Sequence, residues 1–121
     1  MKSKKIENRS IVVDILNNEY KVVVCWGSDI WIKKVLTSWQ HEQLDLLDLK
    51  NMRGQTFWTK DCAPVIVLRH RPKTGEEIGT LAHESVHAIS WIFDRIEEES
   101  RGEVFAHSIG AIVRKVMSNE K

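Results

Sequence analysis

The sequence predicts an α+β fold in which a small antiparallel or mixed sheet packs against helices. Three observations predict it. Short β-branched runs recur between Ile11 and Leu68, apolar residues recur at helical spacing after Thr74, and a proline with a capping pair separates the two regions.

Taken in order, residues 1–10 read as a flexible, lysine-bearing tail. "IVVDILNNEYKVVVCW" then holds two β-branched runs around Asn17 and Asn18, a hairpin signal because asparagine tolerates the left-handed turn conformation. From Ile30 to about Gln43, Trp31, Val35 and Trp39 fall four residues apart with Ile32 and Leu36 beside them. This is one face of a helix that Ser28 or Asp29 starts and that covers the sheet. "LDLLDLKNMRG" fits either a helix end or a short strand. "QTFW" and "APVIVLRH" read as two further strands joined by the polar turn "TKDC", with Pro64 suited to the start of an edge strand. Pro72 ends that strand, and Thr74 with Glu77 forms a capping box that opens a long helix. In the last stretch Val104, Phe105, Ile109, Ile112 and Val116 define the core face of a second amphipathic helix.

A length of 121 residues without repeats or a linker argues for a single domain over the whole chain. The formal net charge of +1 gives no global attraction to nucleic acid or to an anionic membrane, and the short basic run "RHRPK" has no nucleic-acid motif around it. No apolar run approaches the roughly 18 residues that a membrane span needs, and no apolar stretch follows the first lysines as in a secretory leader. A cytoplasmic protein with neither a membrane nor a nucleic-acid partner is expected. Cys25 and Cys62 lie far apart with no C-x-x-C pair, so free, buried thiols are expected.

"GTLAHESVHAIS" carries the chemistry. Within the long helix, His83 and His87 project within about 40° of each other, while Ile78, Leu81, Ile89, Ile92 and Ile96 gather on the far side. Two imidazoles one turn apart can reach a single zinc ion, and Glu84 points beside the metal, where it can take a proton from water. The competing reading is an ordinary amphipathic helix whose histidines bind nothing and whose Glu84 lies in solvent.

Zinc needs a third protein ligand if it is to keep a position open for water. Asp94, Glu97, Glu98, Glu99, Glu103 and His107 follow in sequence, and Glu103 and His107 lie one turn apart, off the apolar face of the second helix. Glu103 is the best placed of these. Two alternatives stay open: Ser100 with Glu103 also reads as a capping box, and His107 can take the place of Glu103. The 97–99 run reads as a solvated acidic face.

"GTLAHESVHAISWIFDRI" followed by "EVFAHSIGAI" resembles the small zincin-like metallopeptidases common in bacteriophage genomes, in which H-E-x-x-H on one helix is followed by a glutamate on the next. The resemblance covers Ala63 to Val113. It implies a minimal zincin-like domain, Zn2+ held by His83, His87 and Glu103, and hydrolysis of a peptide or protein substrate with Glu84 as general base. If the chain is phage-encoded, the expected cytoplasm is that of a bacterial host. His107 is the nearest donor in sequence for the oxyanion, with Arg114 about two turns beyond as a further candidate that otherwise reads as solvated. An extended substrate is expected to add to the strand from Val65 to His70.

A function of a different class competes, a zinc-stabilised module that binds a protein without cleaving it. Trp26, Trp31, Trp39 and Trp58 suit a recognition surface, although in a chain this small tryptophans also fill the core.

Overall fold

A computed structural model describes residues 7–16, 19–39, 53–59, 62–95 and 103–118. The elements are β1 (Arg9–Ile15), β2 (Tyr20–Trp26), α1 (Asp29–Ser38), β3 (Gly54–Thr59), β4 (Cys62–Leu68), α2 (Gly75–Arg95) and α3 (Glu103–Ser118). The α+β class holds. The sheet is mixed, with strand order β1-β2-β4-β3, antiparallel at both margins and parallel between β2 and β4.

The sheet divides two apolar clusters. On one face Ile11, Val13, Val24, Trp26, Ile66 and Leu68 pack against α2 and α3, while on the other Val23, Cys25, Val65 and Val67 pack against Ile32, Val35 and Leu36 of α1. The two inner strands are buried on both faces and therefore read as continuous apolar runs rather than alternating ones. β1 alternates instead, because α3 covers one of its faces while Val12 and Asp14 on the other stay exposed. Leu81, Ile89 and Ile92 are fully buried on α2, each contributing about 1.5–3 kcal/mol through its side chain. α2 lies over β3 and β4, and α3 lies beside it over β1.

Local signals place the helix starts. The Ser28 hydroxyl accepts from the Trp31 N–H at 3.2 Å and caps α1. The Thr74 hydroxyl accepts from the Glu77 N–H at 3.1 Å, and Glu77 Oε1 accepts in return from the N–H groups of Thr74 at 3.0 Å and Lys73 at 2.8 Å. These backbone donors, from Thr74 first and then Lys73, hold the Glu77 carboxyl below its ordinary value, and the nearby His70 adds to the effect.

Several expectations need correction. Pro64 does not start an edge strand, because β4 is bonded on both sides. It is tolerated because the β3–β4 register shifts between Phe57 and Thr59, and pairing with β2 begins only at Val65. β1 begins at Arg9, two residues inside the stretch expected to be a tail. α1 ends at Ser38 rather than near Gln43. Val104 is 57% exposed, since it lies about 100° around α3 from Phe105 and falls off the face defined by Phe105, Ile112 and Val116. The Asn17–Asn18 turn, most of "LDLLDLKNMRG", Ile96 and the Cys62 side chain lie outside the described residues. Cys25 is a free, buried thiol whose pKa burial pushes up to about 12. Among the described residues no helix is long and apolar enough to cross a membrane.

Candidate functional site

The exposed face of α2 carries the two histidines. His83 Nε2 and His87 Nε2 stand 3.2 Å apart, with ring planes at 84°. Two nitrogens about 2.05 Å from one zinc ion at a tetrahedral angle are separated by about 3.3 Å, so this half of a zinc site fits the metal. The same spacing also accommodates an N–H···N hydrogen bond in which one ring donates and the other accepts.

Glu84 is not in solvent. It turns about 100° from His83 toward β3 and is buried, with 8% exposure. The Thr56 hydroxyl donates to Glu84 Oε1 at 2.7 Å and also lies 3.0 Å from the Glu84 carbonyl oxygen. A backbone position without a side chain makes this approach feasible. A Cβ on Gly54 would stand 2.8 Å from Thr80 Cγ2 and 3.3 Å from Glu84 Cγ, so a larger residue would push β3 off α2. Neither Gly54 nor Thr56 was singled out from sequence. The period of two along "GQTFW", which puts residues 54 and 56 on one face, was the signal available.

The downstream candidates separate. Asp94 is exposed on the line of the two histidines, but seven residues beyond His87, about 10 Å along the axis. Glu97, Glu98, Glu99 and Ser100 lie outside the described residues, as does the Glu103 side chain. The backbone of Glu103 opens α3. Phe93 and Phe105 meet edge to face with ring centroids 5.3 Å apart, which sets the first turn of α3 beside the last turns of α2. Phe93 is about 9 Å beyond His87 along α2, so a ligand from α3 has to come back toward His87 from that level. His107 is exposed one turn along α3, and the Arg114 guanidinium folds over Gly110. Among the described residues no group of three or more histidine, cysteine, aspartate or glutamate side chains is gathered that could hold a metal.

The strand expected to receive substrate is also corrected. From Val65 to Leu68, β4 pairs with β2 or β3 along its length, which leaves its main chain no open edge. Among the described residues the sheet ends beside Glu84 at β3, where Trp58 is 50% exposed at the register shift. The other tryptophans are structural in placement. Trp26 is fully buried, while Trp31 and Trp39 pack against the α1 cluster and Trp91 against the α2–α3 side.

Compared with known proteins, the chain matches no family model, no curated protein and no solved structure.

Proposed function

We propose that this chain is a zinc-dependent peptide hydrolase with a zincin-like site, acting in the cytoplasm, that of a bacterial host if it is phage-encoded. The observation that supports it most is the 3.2 Å convergence of His83 and His87 on an exposed helix face, one residue from a buried carboxylate held by the neighbouring strand. In this reading His83, His87 and Glu103 hold Zn2+. The bound ion supplies positive charge that acidifies water and polarises a carbonyl.

The chain's own groups do the rest. Thr56 ties down Glu84 Oε1, and among the described residues Oε2 accepts no hydrogen bond, which leaves it to take a proton from water and pass it to the leaving amine. His107 donates to the oxyanion. A substrate strand adds to the outer edge of β3, which pairs with no further strand among the described residues, rather than to β4, which is paired on both sides.

The deciding experiment compares wild type with Glu84→Gln on a mixture of unstructured peptides, read by mass spectrometry, with zinc content measured on both. The amide keeps the size and the Thr56 hydrogen bond but loses the base. Retained zinc with lost cleavage supports the enzyme. The half-exposed Trp58 favours a second reading, a zinc-stabilised module that binds a protein partner without cleaving it. That reading gains if neither protein cleaves and both exert the same biological effect.

A further inference from the structure

Trp58 is the only exposed tryptophan among the described residues, with 50% of its surface in solvent. Its place on β3 sets the direction of its side chain. The β3–β4 pairing shifts between Phe57 and Thr59, and in that interval β3 has one residue, Trp58, where β4 has two, Ala63 and Pro64. The extra residue is on β4, so the alternation along β3 runs unbroken from Gly54 through Thr56 to Trp58. That face is the one turned to α2, since a Cβ on Gly54 would meet Thr80 and Glu84 and the Thr56 hydroxyl donates to Glu84.

The same contacts set the level at which Trp58 meets the helix. Gly54 lies opposite Thr80 and Glu84, while two residues on the Thr56 hydroxyl lies 3.0 Å from the Glu84 carbonyl oxygen, which points toward the C-terminal end of α2. Strand and helix therefore advance in the same sense. From Thr56 to Trp58 the strand gains about 6.7 Å, and from Glu84 the helix gains about 4.5 Å to His87 and about 6 Å to Ala88. Trp58 thus stands at the level of His87 and Ala88, on the flank of α2 that Glu84 occupies. Ala88 is small, which leaves room there for an indole.

We infer that Trp58 is a specificity-determining residue whose exposed indole receives an aromatic side chain of the peptide, within two residues of the bond beside Glu84. The distance follows from the 6.7 Å or so between the levels of Thr56 and Trp58, two residues of extended chain. The chemistry follows from the ring and its surroundings. The face of an indole is electron-rich and disfavours a carboxylate, and a lysine or arginine that stacked on it would stand beside the positive charge held by His83 and His87. An uncharged ring suffers neither penalty and gains an offset or edge-to-face contact. The inference rests on the peptide-hydrolase reading of the His83–Glu84–His87 site, and its test separates the two.

Immobilised Glu84→Gln protein, supplied with zinc, selects from a random decapeptide mixture free of histidine and cysteine, and the bound peptides are sequenced by mass spectrometry. Phenylalanine, tyrosine and tryptophan should be enriched about fivefold over leucine at one position, the effect of one ring pair beyond its area. Adding Trp58→Leu, which keeps apolar bulk beside α2, should bring that ratio to about one, while Trp58→Phe should keep most of it. Both should melt within about 3 °C of the parent. A lost aromatic preference at unchanged melting is an effect that a merely structural tryptophan would not produce. No aromatic enrichment, no binding, or enrichment unchanged by Trp58→Leu overturns the inference. Wild type cleaving the same mixture with no aromatic preference within two residues of the cut overturns it and keeps the peptidase. Aromatic-selective binding that Trp58→Leu abolishes, with no cleavage by wild type, keeps Trp58 as the peptide contact and removes the peptidase.

Discussion

Thr56→Val probes the contact that joins the edge strand to the candidate base. Valine matches threonine in shape but cannot donate, so Glu84 Oε1 loses its 2.7 Å donor in a place where the residue is only 8% exposed and water cannot easily replace it. A hydrogen bond to a charged group contributes about 1.5–3 kcal/mol. For 121 residues at about 2.1 cal/mol/K each, the unfolding entropy is about 0.25 kcal/mol/K, so the melting temperature should fall by about 6–12 °C. Thr56→Ser keeps the hydroxyl and should recover most of the loss. The assay is thermal unfolding by circular dichroism at pH 7, with zinc affinity measured in parallel. Zinc affinity should be unchanged, since Thr56 touches neither histidine. Thr56→Val melting within about 2 °C of wild type, or Thr56→Ser as damaged as Thr56→Val, would refute the claim that this hydroxyl holds Glu84.

Two further outcomes follow from the helix ends. The Glu77 carboxyl sits below its ordinary value because the backbone N–H groups of Thr74 and Lys73 bond its charged form, so its stabilisation is present above the unfolded value near 4.5 and is lost as pH falls through the lower folded value. Glu77→Gln should therefore be less stable than wild type at pH 7 and show a shallower loss on acidification, and parallel pH–stability curves for the two proteins would contradict this. Glu103→Ala should weaken zinc binding strongly and His107→Ala only slightly, both measured by competition with a chelating dye; the reverse order would make His107 the third ligand and Glu103 a cap.

How far the sequence reached depended on the range of each interaction. Ser28, Thr74 and Glu77 act within four residues, and their roles were legible from spacing alone. So was the common face of His83 and His87, which helical geometry dictates. Strand order was not legible. "APVIVL" has the unbroken apolar pattern of a strand buried on both faces, but Pro64 pointed to an edge, and only the register shift opposite it resolves the conflict. The Thr56–Glu84 contact spans 28 residues, and no local pattern announces it. Val104 was misplaced because the apolar face of α3 is narrower than its run of apolar residues, with the buried Ser108 making up part of the packed side.

The most direct test of the central claim is the zinc content of the purified protein by elemental analysis, alongside His87→Ala prepared in the same way. Two nitrogens 3.2 Å apart on one exposed face should hold about one zinc per chain with help from α3, and loss of one imidazole should remove most of it. Where free zinc is at 100 times its dissociation constant, the loaded protein gains about 2.7 kcal/mol, a rise in melting temperature of about 10 °C that a chelator should reverse. Equal, near-zero zinc in both proteins, with no thermal shift on titration, would contradict the account and leave the 3.2 Å contact as a hydrogen bond between two histidines.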